Sequence, residues 1–249
     1  MMKARLATTN ARDHDDVRAF FDRSAPSYVE QHGPAARLLA YRTKLLREAA
    51  QFRASDTVVE LGCGDGMHLF ALGDAFARGI GIDISEAMVA RAATAAPDAE
   101  RFRFAAGVGE EIPTVDDDTV DVVYCVGSLE HMLDQPAVAR SAFRVLRRGG
   151  RFAGLTPNGG YVWYRRIAPL FGLATQHLAT DHFLTRDELH AILREAGFTN
   201  VRIDSWTFIP RGDMPPWIAR LLDVLDVVGR VLRIPRLRGG LRFRATRDE

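Results

Sequence analysis

The sequence predicts an α/β fold, a doubly wound parallel sheet with helices on both faces. Three observations carry this reading. Short β-rich runs recur along the chain, stretches of helical apolar period separate them, and a glycine-dense turn falls where the first strand should pass into a helix. The strand-like runs are 57–61 (TVVEL), 79–83 (GIGID), 102–106 (FRFAA), 121–126 (DVVYCV) and 151–156 (RFAGLT). Between the fourth and fifth, the stretch 134–148 aligns Val138, Ala142, Val145 and Leu146 in one apolar stripe, with Arg140, Arg144 and Arg147 facing out.

Helix starts are marked by caps. Ser85 precedes one helical run, and Thr185 with Glu188 has capping-box spacing ahead of Leu189, Ile192 and Leu193, with Gly197 as the stop. After 197 the pattern changes, because 201–208 (VRIDSWTF) and 241–246 (LRFRAT) read as strands with no capped crossover helix of ordinary length between them. They are expected to pair as an antiparallel edge, with 209–240 as a long insertion. Two helices, at about 14–24 and 34–52, precede the first strand and are expected to cover the sheet's carboxyl edge. The division that follows is a helical cover at 1–55 and a sheet domain at 56–249, with insertions at about 159–180 and 209–240.

Composition narrows the function classes. The 249 residues are 47% hydrophobic and 26% charged, enough to bury a sizeable core. Thirty-three basic and 32 acidic side chains leave a net charge of +1, so no global field draws nucleic acid. Cys63 and Cys125 are the two cysteines, too few to staple such a chain, and they read as small buried packing residues. No charged-then-apolar leader opens the sequence, which suggests a cytoplasmic location, and no apolar stretch reaches the roughly 18 residues of a spanning helix.

The chemistry is concentrated in Glu60-Leu61-Gly62-Cys63-Gly64-Asp65-Gly66. Glycines here let the backbone turn tightly and let a ligand approach where a Cβ would collide, beside the free N–H groups of the next helix. The spacing G-x-G-x-G differs from the G-x-G-x-x-G of nicotinamide-binding loops, since position 67 is Met67. The second strand ends in Asp83, whose carboxylate would lie beside the loop and accept two ribose hydroxyls.

These residues resemble the class I S-adenosylmethionine-dependent methyltransferases, through Val58 to Gly66 and Gly79-Ile80-Gly81-Ile82-Asp83-Ile84-Ser85. The likeness continues through Gly107 to Pro113, Asp121 to His131, and Leu146-Arg147-Arg148-Gly149-Gly150. The resemblance implies a Rossmann-like seven-stranded sheet whose last strand is antiparallel, and S-adenosylmethionine as cofactor. It implies that the glycine loop surrounds the methionine moiety, that Asp83 holds the ribose and that Ile84 packs on adenine. Where the family often has Gly-Asp-Ala-Glu, this chain has Gly107-Val108-Gly109-Glu110, so the Gly109 N–H would serve a ring nitrogen and Glu110 the amino group. It further implies that Tyr28 closes over the methionine end and Arg42 meets its carboxylate. With Glu60, Gly62, Cys63, Gly64, Met88 and Val126, these complete the cofactor-binding candidates.

A narrower resemblance is to the ubiquinone-biosynthesis O-methyltransferases, through Glu130-His131, Thr156-Pro157-Asn158 and Asp181-His182-Phe183-Leu184-Thr185. That group often has Glu-x-x-Glu-His, but the first Glu is Ser128 here, so no metal is expected. His131, after strand four, is the candidate base for a phenol or alcohol acceptor, with a role as pocket wall as the alternative. His182 is the second catalytic candidate, in a cluster with His177 and Asp181. Met-Pro-Pro-Trp at 214–217 lies far from strand four and is discounted as a nucleic-acid methyltransferase signature.

The expected activity is methyl transfer to a small, mostly apolar or aromatic acceptor, at oxygen in preference to nitrogen or carbon. A non-enzymatic protein that binds S-adenosylmethionine or S-adenosylhomocysteine is the alternative. Phe20, Phe21, Trp163, Phe171 and Trp217 are expected to line the acceptor pocket. The apolar segments 161–173 and 216–233 read first as a lid, with dimerisation and peripheral membrane contact as the other uses, so the chain is expected to be a monomer or homodimer.

Overall fold

The computed structural model describes residues 8–25, 35–170, 172, 175–208 and 216–248. Among them, seven strands form one sheet: β1 (Thr57–Leu61), β2 (Arg78–Asp83), β3 (Phe102–Ala106), β4 (Val120–Val126), β5 (Leu146–Pro157), β6 (Thr199–Trp206) and β7 (Gly240–Thr246). Their spatial order is β3-β2-β1-β4-β5-β7-β6. β7 runs antiparallel to both β5 and β6, and the other pairings are parallel. The predicted Rossmann-like sheet and its antiparallel last strand are therefore both present.

Side-chain alternation explains why the sheet is covered twice. Val123 and Cys125 of β4 join one apolar core, while Val122, Tyr124 and Val126 join the other. The first core takes α5 (Gln135–Val145) and α6 (Arg186–Glu195), through Val138, Ala142, Leu189 and Leu193. The second takes α2 (Ala35–Ala50) and α3 (Met67–Ala71), through Leu45, Leu46, Ala49 and Leu69. The predicted caps form. Ser85 Oγ accepts from the Met88 N–H at the head of α4 (Glu86–Ala95), and Thr185 and Glu188 close a reciprocal capping box on α6.

Two boundaries differ from the sequence reading. The helix expected over 134–148 ends at Val145, because Leu146 already pairs with Val120 as the first residue of β5. The N-terminal helices do not act as one cover. α2 lies on a sheet face as a full layer of the core, and it is α1 (His14–Ser24) that reaches the carboxyl edge, with Val17, Phe20 and Phe21 packed on Ile84, Leu133 and Leu178.

The insertions meet over the same edge. Tyr161, with Trp163 of a π-helical turn (Trp163–Ile167) and Ala168 of the short helix after it, packs on Ile218 and Leu222 of α7 (Pro216–Val231). Asp226 of α7 accepts from Thr207 Oγ1 at 2.8 Å and pairs with Arg238 at 3.4 Å. Asn158 Nδ2 donates to the carbonyls of Pro235 and Arg238, at 3.0 and 2.8 Å.

At the opposite edge, Arg151 of β5 forms a buried ion pair with Asp56, just ahead of β1. Arg151→Leu strands that carboxylate in the interior, and we expect a loss of about 3–5 kcal/mol in urea unfolding. The double variant Asp56→Leu/Arg151→Leu should lose markedly less, because neither charge is then left buried alone.

Candidate active site

The order of the sheet reverses at β1, which has β2 on one side and β4 on the other, so a crevice opens at their carboxyl ends. The glycine loop lies there. Gly62 and Gly64 have φ of +70° and +54°, a region that side-chain-bearing residues rarely occupy. A Cβ on Gly62 would fall 2.3 Å from Ser128 Cβ. The loop is fixed to β2, since the N–H groups of Gly62 and Cys63 both donate to the Ile82 carbonyl, at 2.7 and 3.1 Å.

Asp83 holds the other side of the crevice. Its Oδ2 accepts from the Gly64 N–H at 2.8 Å and its Oδ1 from the Ser85 N–H at 2.9 Å. Burial pushes its pKa up, against the pull of those two bonds. Each oxygen retains a lone pair, so two hydroxyls can be received side by side. A turned glycine cradle beside a buried carboxylate with spare acceptor capacity fits the ribose and methionine portions of S-adenosylmethionine.

The loop rests on a buried polar group. Glu60 of β1 is fully enclosed, receives the Tyr124 hydroxyl at 3.2 Å and lies 3.3 Å from His68 Nδ1. Burial raises its pKa, with His68 opposing. Glu60 thus supports the loop from beneath. The Cys63 and Cys125 thiols are buried and pushed well above their ordinary range, chiefly by desolvation, which suits packing and not nucleophilic attack.

The remaining cofactor candidates surround this centre at different depths. Ile84 is half-buried against α1, Met88 is buried on α4, and Val126 is buried at the end of β4. Gly109 packs on Met132. Glu110 Oε1 is already engaged, accepting from the Leu133 and Asp134 N–H groups at 2.8 and 3.3 Å, with His14 Nε2 also at 3.3 Å. It ties the loop after β3 to the approach to α5. Arg42 is half-buried on α2, and Tyr28 lies outside the described residues. Asp22, which sequence reasoning passed over within its aromatic neighbourhood, accepts from the Ser85 hydroxyl and from the Ala87 N–H and so joins α1 to the head of α4.

His131 lies at the mouth of the crevice. Its Nδ1 is 2.7 Å from Asp181 Oδ1, and Asp181 Oδ2 accepts from the His177 and Leu178 N–H groups at 2.8 and 2.9 Å. Burial pulls the His131 pKa down, but the Asp181 bond and the charges of Glu130, Asp181 and Asp83 together raise it above 6.5. Burial likewise pushes Asp181 up, and His131 with the two N–H donors brings it below its ordinary value. Glu130 is buried against Thr156 Oγ1 at 3.2 Å, its pKa raised by desolvation. Of the Asp181-His182 pair, it is Asp181 that meets His131. His182 binds through its backbone, donating to the Glu130 carbonyl, and its side chain is exposed. Ser128 gives its hydroxyl to the Leu61 carbonyl.

The aromatic wall also differs from expectation. Phe21 meets the His131 ring edge-on at 5.3 Å, and Tyr164 stacks obliquely on Phe183 at 4.7 Å. Trp163 is buried among Tyr161, Ile218 and Leu222, whereas Trp217 is 57% exposed on the far side of α7. Phe171 lies outside the described residues.

Residues 34–203 match the family model described as a methyltransferase domain. The chain belongs to the methyltransferase-domain family. Over 145 residues it is 36% identical to a probable S-adenosylmethionine-dependent methyltransferase of Mycolicibacterium smegmatis, covering 58% of this chain and 52% of that one, so the match spans about half that relative's length. A ubiquinone biosynthesis O-methyltransferase of Hydrogenovibrio crunogenus is 25% identical over 220 residues, covering 83% of this chain and 88% of the relative. In fold, the [4+2]-cyclase SpnF is similar across 99% of both chains, with a TM-score of 0.70 at 18% identity. The resemblance to class I S-adenosylmethionine-dependent methyltransferases is thereby upheld, and with it S-adenosylmethionine as cofactor.

Two predictions follow from this geometry. Gly62→Ala should fold but bind S-adenosylhomocysteine at least tenfold more weakly in calorimetry, since the loop must shift from Ser128. The second concerns pH. His131 has a raised folded-state pKa, so its stabilisation is complete below about pH 6.5 and is lost as pH climbs through the raised value. Asp181 contributes above about pH 4 and loses its share as pH falls through its lowered value. The stability gap between wild type and Asp181→Asn in urea should therefore be widest at about pH 4–6.5 and narrow above that window.

Proposed function

We propose that this chain transfers a methyl group from S-adenosylmethionine to a hydroxyl of a small, mostly apolar or aromatic molecule, with His131 as general base. The observation that carries this reading is the His131–Asp181 pair at the mouth of the cofactor crevice. A carboxylate on Nδ1 keeps the proton on that nitrogen and leaves Nε2 as the acceptor. Among the described residues Nε2 has no hydrogen-bond partner.

S-adenosylmethionine supplies a methyl carbon made electrophilic by its sulfonium. The protein's part is then to align the acceptor, exclude water and receive one proton. Gly62, Gly64 and Asp83 hold the cofactor, and Ile84 and Met88 flank it. As the acceptor oxygen takes the methyl from sulfur, which keeps the C–S electron pair and departs as S-adenosylhomocysteine, its proton passes to His131 Nε2, and Asp181 stabilises the resulting imidazolium. Asp181 is a positioning residue in this scheme, acting through His131.

The acceptor class is read from the aromatic side chains of this edge. Phe21 meets the His131 ring, and Tyr164 pairs with Phe183 in the segments that follow β5, so an acceptor with several unmatched hydroxyls would lose about 1–3 kcal/mol for each one buried among such rings. The O-methyltransferase relative supports oxygen as the methylated atom. The likeness to SpnF favours a second reading, in which the same cradle serves a chain that does not transfer the methyl group, because a shared fold does not fix the chemistry.

Turnover separates the two readings. On a panel of phenols, quinols, polyketide-like alcohols and sugars, at least one apolar hydroxyl compound should be methylated, and a complete blank would favour the second reading. Asp83→Ala should abolish S-adenosylhomocysteine binding. His131→Ala should lower kcat by roughly 10²–10⁴ with that binding intact. Because the base must be neutral, the acid limb of the wild-type kcat profile should lie above pH 6.5 and move to lower pH in Asp181→Asn. A His131→Ala enzyme with full turnover would leave the histidine as pocket wall.

A further inference from the structure

α7 is apolar on two sides, and the fold uses one of them. Its inner residues Ile218 and Leu222, with Leu225, close over Tyr161, Trp163 and Ala168, which meets the ordinary need of a surface helix to bury one stripe. The outward side should then be polar. Instead Trp217, Leu221, Val224 and Val231 follow one another at spacings of four, three and seven, with Val227 beside them. They are exposed by 57%, 43%, 59% and 70%, and Leu232 and Ile234 continue the strip beyond the helix. Over 16 residues this makes a ridge roughly 24 Å long.

The exposed charges on this element have one sign. Arg220 and Arg230 on the helix, and Arg233 and Arg236 just after it, are exposed. The two acids of α7 are withdrawn: Asp226 is buried against Arg238 and Thr207, and Asp223 is half-buried. Among the described residues no helix is long and apolar enough to cross a membrane. An apolar ridge flanked by cations suits a surface that is anionic outside and hydrocarbon within.

We propose that the outer face of α7 docks on an anionic lipid surface, with Trp217, Leu221, Val224 and Val231 in the headgroup boundary and the four arginines against lipid phosphates. A second copy of the chain is a poorer occupant. A two-fold contact through this ridge would bring eight exposed arginines together with no exposed acid of α7 to answer them. The docked face is the back of the element whose front roofs the carboxyl edge, so docking would leave the roof in place. The inference extends the reading of an apolar acceptor but does not depend on it.

Flotation with vesicles tests it, using phosphatidylcholine alone or mixed with phosphatidylglycerol. Wild type should float with the mixed vesicles, release at high salt, and stay behind with phosphatidylcholine alone. Trp163 and Trp206 are buried, so a blue shift of tryptophan emission on the mixed vesicles would report Trp217 and vanish in Trp217→Phe. Leu221→Asp/Val224→Asp should weaken partitioning by at least roughly tenfold, and Arg230→Glu/Arg233→Glu by about fivefold or more for each reversed charge. All these positions are exposed, and retained S-adenosylhomocysteine binding would show that the variants are folded. The proposal is overturned if wild type fails to float, if it floats equally with neutral vesicles, or if Leu221→Asp/Val224→Asp floats as wild type does. A wild-type dimer that this variant splits, with no flotation, would assign the ridge to self-association. Loss of flotation with turnover unchanged would leave the proposed catalytic reading untouched.

Discussion

Much of this molecule depends on where one carboxylate points. Asp83 is drawn between the Gly64 N–H of the glycine loop and the Ser85 N–H at the head of α4. It thereby fixes two elements that the chain reaches from different strands. The cost is a desolvated acid whose pKa burial raises. The two amide bonds offset part of that cost and aim the remaining lone pairs into the crevice. A shorter side chain would leave the Gly64 N–H without this acceptor and the loop with only its bonds to the Ile82 carbonyl on that side, and a backbone that must hold φ near +60° keeps its shape only when its surroundings over-determine it.

The two walls of the crevice are stiffened by different means. Below, Glu60 and Tyr124 face each other across β1 and β4, in register as direct partners, so a hydrogen bond between strands sits under the loop. Ser128 adds another through the Leu61 carbonyl, and its own Cβ occupies the space that Gly62 vacates. Above, order comes from loops: the segment at 177–182 is held by Asp181 on its own amides and by His182 on the Glu130 carbonyl, and Thr9 pairs with it through its N–H and C=O. The lower wall is set by the sheet and the upper by contacts within one loop and between its backbone and segments distant in the sequence. On the proposed function, cofactor geometry would rest on the sheet-bound half and acceptor choice on the half built from loops.

That division also explains what was legible in the sequence. All seven strands could be read, because apolar alternation and turn residues are local signals, and so could the placement of Gly62, Gly64 and Asp83 together at the carboxyl edge, which is tied to spacing within a few residues of a strand end. The end of α5 was misplaced, since Arg147 and Arg148 suit a helix as well as a strand and only pairing with β4 decides. The sequence offers Asp181 only as part of a cluster with His182, because which of two adjacent polar residues turns inward depends on the path of a loop. Glu110 reads as a cofactor contact, yet its Oε1 accepts from the amides of 133 and 134, which no spacing rule discloses. Trp217 read as pocket lining from its place on an apolar stripe, but the helix carries two such stripes, and sequence periodicity does not say which one the core takes.

The roof over the crevice shows how an insertion can be committed to one orientation. Residues 161–168 and α7 each offer aromatic or branched side chains to the other. Their joint core is thus a satellite of the main one, fastened by Asn158 to the carbonyls of Pro235 and Arg238 and by Asp226 to Arg238 and Thr207. Polar bonds of this kind fix direction more than they add stability, because each must be fully matched to be worth burying. With Asp226 held inward, α7 cannot rotate to hide its second stripe without leaving that acid unpaired. The exposed ridge is therefore imposed by the same contact that seats the helix, and its exposure is a property of the folded chain.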